Sequence, residues 1–346
     1  MNAWVKLLAL TILFNACNPT DETPTDNYAN GVFITNEGPF QNGTGTVDFY
    51  NRAIGGIQND IFAKANNGAA IGNILQSMSF KNDTAYLVVN NANKLVLVNY
   101  KTFQSASTVT GFTYPRYFLS INNISAYVTD WGADGLTGSV KVFDYATKTI
   151  AKTVPTGKGA DKMLRIGSRI WVLNSGGFGK DSTIAIIETA NDSVSTKIKV
   201  GLGPNSIVQD ANGDVWVLCG GYFDKPDNGK LIKIRNEKVE YSFDVPKYAS
   251  SLTKDATGNN LYYVATNKIY KKDILNFGTT PPSVFITQPY LSNPYSLGFD
   301  IKSGYLYCGD AKNFSMASSV YIFDPSSKIL KDSVKAGIGV NGFYFF

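Results

Sequence analysis

Histidine is absent from this 346-residue chain. That excludes nucleophilic triads built on an imidazole base, histidine-ligated haem, and the usual zinc and copper centres. Cysteine occurs three times, at Cys17, Cys219 and Cys308. Cys219 and Cys308 end the strand-like runs WVLCG and LYCGD at equivalent positions two repeats apart. That spacing puts them beyond the ~7 Å reach of a disulfide and predicts two buried free thiols. Charged residues make up only 17%, and the net charge of +5 contains no run of Lys or Arg, which argues against nucleic acid as a partner. No Gly-rich phosphate loop follows a strand and opens a helix, and the carboxylates are too scattered to nominate an acid/base pair. No catalytic residue, resident metal or cofactor is expected.

What the chain does have is a strand cassette that recurs seven times. It reads VDFYN at Val47–Asn51, LVLVN at Leu95–Asn99, VKVFD at Val140–Asp144 and AIIE at Ala185–Glu188. It continues as LIKIR at Leu231–Arg235, KIYKKD at Lys268–Asp273 and VYIFD at Val320–Asp324. The closing residues Asn51, Asn99, Asp144, Glu188, Arg235, Asp273 and Asp324 are about 45 positions apart, the length of a four-stranded propeller blade. The expected fold is all-β: one seven-bladed β-propeller spanning residues 31–346. The Asp or Asn at the turn closes an Asx turn and carries no functional weight.

Each blade reads as strands A to D from the central channel outward. Blade 5 has A at Ser206–Asp210, B at Val215–Cys219, C at Lys230–Arg235 and D at Val239–Val245. Blades 2, 3 and 4 cover Ala69–Phe112, Thr113–Lys158 and Gly159–Gly203, while blades 6 and 7 cover Ser250–Tyr290 and Leu291–Gly339. The first blade offers B at Gly31–Asn36, C at Gly45–Asn51 and D at Gln58–Lys64, but no strand A. Asn341–Phe346 (NGFYFF) supplies it, so that the C-terminal strand joins the N-terminal blade and closes the ring.

The N-terminus reads as an export signal. Leu7–Phe14 is an apolar run too short to be a permanent span, and it leads into Leu13-Phe14-Asn15-Ala16-Cys17. A small residue directly before Cys17 resembles a bacterial lipobox. The expectation is a signal peptide over residues 1–16 and a flexible lipid-anchored tether over 17–30, with Cys17 lipidated and the membrane contacted through that anchor alone.

One propeller face collects the B–C loops and the D–A links. Its B–C loops hold Glu37 and Phe40, Asn90 and Asn91, Trp131, Phe178, Tyr222 and Phe223, and Phe314. The D–A links hold Gln76, Arg116 and Tyr117, Asp161 and Lys162, Asn205, Tyr248 and Tyr295, and Asn341 joins the same ring. Rigid aromatics and amides around a concavity suit a ligand-capturing rim. The candidate ligand-binding residues are Asn90, Arg116, Tyr117, Trp131, Lys162, Phe178, Asn205, Tyr222, Phe223, Tyr295, Phe314 and Asn341. For any single ring, capping the ends of adjacent blades explains it as well. For the set, binding is favoured, because capping does not call for a glycine beside each ring. A calcium-dependent hydrolase would instead need Glu37, Asn90, Asn174 and Asp310 to converge. Turns select the same residue types without any metal.

The segments Phe33–Gly38 (FITNEG), Gln76-Ser77-Met78, Val88–Asn91, Ser107–Arg116, Ala126–Asp130 and Gly203-Pro204-Asn205 carry a family resemblance. Together they resemble the YncE-like propeller lipoproteins of Bacteroidetes outer membranes, a group that includes corrinoid-capturing lipoproteins of the BtuG type. The resemblance implies a lipoprotein anchored in the outer membrane and exposed at the cell surface. It would capture a bulky chelate, a corrinoid (vitamin B12) first and an iron–siderophore second, and pass it to a TonB-dependent transporter. Lacking histidine, the chain could not replace the lower ligand of a corrinoid cobalt. Glycan capture, a protein–protein adaptor and a lactonase-like hydrolase remain as alternatives.

Overall fold

The computed structural model describes residues 28, 30–225, 228–275 and 280–346. The expected signal peptide and Cys17 lie outside the described residues, as does nearly all of the tether. Seven antiparallel sheets of four strands stand in a ring, each inner strand touching the inner strands on either side. The middle strands are buried on both faces, as in Val215–Cys219 and Thr84–Val89, because each blade packs against two neighbours. Hydrophobic clusters form between successive blades, so no blade completes a core alone.

Closure follows the sequence expectation. The last strand, Val340–Phe345, pairs antiparallel with Gly31–Asn36 and becomes the inner strand of blade 1. Tyr28, ahead of that blade, is buried against Phe33, Phe49 and Phe103. The outer edge of blade 1 differs from the expectation. Gln58–Lys64 is not a strand: the fourth strand is only Gly56–Gln58, and Ile61–Ala65 is a short helix. Asp60 turns the chain in a left-handed conformation (φ 46°) and caps the helix through Ala63 N, 3.1 Å away. Ile61 and Phe62 then enter the core between blades 1 and 2, which outweighs extending a three-residue edge strand.

The expected Asx turns are present at Asn51, Asn99, Asp144, Asp273 and Asp324. Cys219 and Cys308 are buried free thiols.

Candidate functional site

Every inner strand breaks register at the same height. The breaks fall between Thr35 and Asn36 opposite Asn341, and between Leu75 and Ser77, Pro115 and Phe118, and Ala160 and Met163. They recur between Pro204 and Ser206, Ser250 and Thr253, and Pro294 and Ser296. A bulge turns its extra residue off the ladder and re-aims the side chain. The residues displaced here are Asn341, Gln76, Arg116 with Tyr117, Asp161 with Lys162, Asn205, Ser251 with Leu252, and Tyr295. All but Leu252 line one cavity of about 300 Å³ at the channel mouth, joined by Glu37 and Trp131. A second cavity of about 290 Å³ shares Gln76, Tyr117, Lys162, Ser251 and Asn341. It continues down the inner strands onto Met78, Leu119, Met163, Ile207 and Leu297. The channel is polar at its mouth and largely apolar below.

The amides and serines of this ring are mortar between blades. Asn341 Nδ2 donates to the carbonyls of Leu75 (2.9 Å) and Gln76 (3.0 Å), and Asn205 Nδ2 to Ala249 O (2.8 Å). Ser77 Oγ donates to Arg116 O, Ser251 Oγ to Tyr295 O, and Ser296 Oγ to Val340 O. Each bond crosses from one blade to the next and satisfies a carbonyl in or beside a bulge.

The charged residues are arranged differently. Arg116 Nε pairs with Asp161 Oδ2 at 3.2 Å, and its guanidinium lies 4.2 Å from the centre of the Trp131 ring. Glu37 Oε1 accepts from the Tyr295 hydroxyl (3.0 Å) and from Asn341 Nδ2 (3.4 Å). Burial pushes the Glu37 carboxyl above its ordinary value, against the opposing pull of Tyr295, Arg116 and Asn341. Burial also pulls the Lys162 ammonium below its ordinary value; Asp161 resists this and Arg116 adds to it. Lys162 Nζ makes no hydrogen bond or ion pair among the described residues. The ring nearest to it is Tyr117, with the centroid 5.8 Å away.

Of the residues nominated from sequence, Arg116, Tyr117, Trp131, Lys162, Asn205, Tyr295 and Asn341 meet at the mouth. The others stand away from it. Asn90 Nδ2 donates to Pro115 O and ties blade 2 to blade 3. The Tyr222 hydroxyl donates to Ser175 O (2.7 Å) and accepts from Asp181 N (2.8 Å), so this ring caps blade 4 from blade 5. Phe314 stands edge-on to Tyr295 at 4.9 Å and buttresses it. Phe178 packs on Tyr114 and Trp131 yet stays 65% exposed, and Phe223 is 84% exposed. The glycines beside these rings serve packing after all. A Cβ on Gly135 would sit 2.0 Å from the Phe178 ring, and one on Gly176 would sit 2.3 Å from the Tyr222 hydroxyl. Glu37, Gln76, Asp161 and Ser251 complete the mouth. For Gln76 the signal is a recurring bulge tetrapeptide, Leu75-Gln76-Ser77-Met78, which Pro204-Asn205-Ser206-Ile207, Pro294-Tyr295-Ser296-Leu297 and Val340-Asn341-Gly342-Phe343 repeat; Glu37, Asp161 and Ser251 carry no such mark.

Of the hydrolase quartet, only Glu37 lines the channel mouth. Asn174 Nδ2 donates to Thr183 Oγ1. Asp310 accepts from the backbone N–H groups of Ser292, Asn293 and Lys312 and pairs with Lys312 Nζ at 3.2 Å. Asn90 ties blade 2 to blade 3, and Glu37 accepts from Tyr295 of the neighbouring blade. Among the described residues, no group of three or more Cys, Asp or Glu side chains could hold a metal.

Fold and site together define a seven-bladed propeller with a polar, bulge-built channel mouth. Residues 30–345 match the family described as a domain of unknown function, DUF5074, and the chain belongs to it. No curated protein matches the chain. Among solved structures it is similar to a quinonprotein alcohol dehydrogenase-like protein from Bacteroides thetaiotaomicron, with 16% identity, a TM-score of 0.70, and 92% of this chain and 79% of that one covered. It is also similar to the periplasmic gluconolactonase of Pseudomonas aeruginosa, with 14% identity, a TM-score of 0.67, and 91% and 99% covered. Hydrazine synthase of Kuenenia stuttgartiensis is a third, with 17% identity, a TM-score of 0.61, and 74% and 84% covered. At these identities the likeness defines the fold alone.

Proposed function

We propose that this protein is a binding protein and not an enzyme, capturing a bulky, rigid ligand across the face that bears the channel mouth. The observation that carries this reading is a mismatch of scale. The mouth holds only about 300 Å³, while Arg116 lies over Trp131 and Trp131 meets Phe178 edge-on, a contiguous series running from the mouth to an exposed ring. A cavity that small admits one branch of a ligand whose body rests on the aromatic rim. A corrinoid is the first candidate and an iron–siderophore the second, since rigid bodies with peripheral branches lose little conformational freedom on capture. As a surface-exposed outer-membrane lipoprotein anchored through Cys17, the protein would hand this cargo to a TonB-dependent transporter.

The test is calorimetry with cyanocobalamin, dicyanocobinamide and several ferric siderophores, paired with tryptophan fluorescence. Binding of one of them with a dissociation constant below about 1 μM, and loss of the fluorescence change in Trp131→Phe, is the expected result. Binding of none overturns the chelate reading. Lactone hydrolysis is the second reading, raised by the gluconolactonase likeness. Turnover of gluconolactone that is abolished by a calcium chelator would replace capture with catalysis.

A further inference from the structure

We propose that the channel mouth is an oxyanion seat, in which Arg116, Lys162 and Tyr117 hold a carboxylate or phosphate carried by the ligand. This deepens the capture reading and rests on it for the rest of the ligand. The argument is an account of hydrogen-bonding capacity. Arg116 commits Nε to Asp161, and neither of its terminal amino groups donates to any described residue. The Lys162 ammonium donates to none, and the Tyr117 hydroxyl only accepts, from Gln76 Nε2 at 3.4 Å. About eight N–H and O–H donors therefore face a small, partly enclosed space with few acceptors to match them.

The acceptors around them are largely spent. Asp161 Oδ2 takes Arg116 and Ser175, and its Oδ1 takes the backbone N–H of Lys162. Asn205 Oδ1 takes Ser206, and Asn341 Oδ1 takes Thr35. Glu37 Oε2, Gln76 Oε1 and the hydroxyl oxygens of Tyr295, Ser175, Ser250 and Ser251 are what remains. A ligand group that matches this donor surplus must bring acceptors, and negative charge on it would pair with the Lys162 ammonium, which has no partner carboxylate within ion-pair distance among the described residues.

Geometry limits the seat further. Stacking on Trp131 and pairing with Asp161 hold the Arg116 guanidinium on two sides, so its terminal amino groups are presented without further ordering. Lys162 lines both the mouth and the apolar cavity below, so it stands at the junction of the two. An oxyanion there would relieve the repulsion between Lys162 and Arg116 and the burial of the amine together.

The probes are inorganic phosphate and succinate, each against sodium chloride at equal ionic strength, read by thermal shift and calorimetry on the whole chain. Wild type should bind one of them saturably, and the stronger probe distinguishes a phosphate from a carboxylate. Lys162→Met keeps the aliphatic stem and breaks no ion pair; it should weaken that binding at least tenfold, while Lys162→Arg retains it. Lys158→Met, an exposed lysine outside the mouth, should leave it unchanged. Equal binding by wild type and Lys162→Met, or no effect beyond that of chloride, overturns the seat. If a corrinoid or siderophore binds wild type and neither anion does, capture stands and the seat falls. If an anion binds through Lys162 and no chelate binds, the seat stands and the chelate reading falls.

Discussion

Arg52 of the first blade and Asp300 of the last are paired through Nε and Oδ2 at 2.6 Å, across 248 positions of sequence. Asp300 is fully buried, and Arg52 also donates to the carbonyl of Phe346. One side chain thus ties together the two blades at the seam and the strand that closes it.

Arg52→Ala should destabilise the protein by about 2–3 kcal/mol, because it leaves a buried carboxylate with only Lys302 N and Ser303 Oγ as partners. Deleting residues 341–346 should do far more, exposing the inner face of blade 1 and opening the ring. Both are read by thermal denaturation. A truncated chain that melts cooperatively at the wild-type temperature would refute the closure argument.

A second prediction concerns Glu37. Burial raises its native value above the ordinary 4.5, so between those two pH values the folded chain holds more proton than the unfolded chain. Stability therefore falls as pH rises through that window. In Glu37→Gln the fall should be shallower. Asp48, raised by burial in the same way, leaves a residual slope. Melting temperature measured from pH 4 to pH 8 decides it, and identical slopes would show that Glu37 does not contribute.

The two cysteines should resist modification. Burial pushes the Cys219 thiol up to about 12, against a weaker pull from the Gly201 N–H, and burial with Asp310 raises Cys308 further. Neither should react with an aromatic disulfide reagent at neutral pH until denaturant is added. Rapid labelling of the native protein would contradict the packing around them.

Blade number, strand order and ring closure were legible because the cassette repeats and because its middle strands are apolar on both faces. Gln58–Lys64 was misread because Ile61 and Phe62, adjacent in sequence, suit a strand as well as the helix that Asp60 starts. Lys233 lies inside a strand that reads as apolar, and nothing local announces its burial beside Asp214 and Glu240. At the mouth, the residue types were visible from the D–A links, but their shared direction was not. A bulge changes where a side chain points without changing what it is. Only pairing register separates Asn341 and Tyr295, which line the mouth, from Asn90 and Tyr222, which bind blades together.

Asn341 has a consequence for timing. Its amide fastens blade 1 to blade 2 at the lip of the channel, and the strand it belongs to follows the other strands of the ring in sequence. Until residues 340–345 have been synthesised and docked, the channel lacks one of its walls. A nascent chain that has reached residue 339 thus carries every strand of the ring but one, and no finished channel mouth. On the proposed capture role, cargo could be loaded only once that strand is in place.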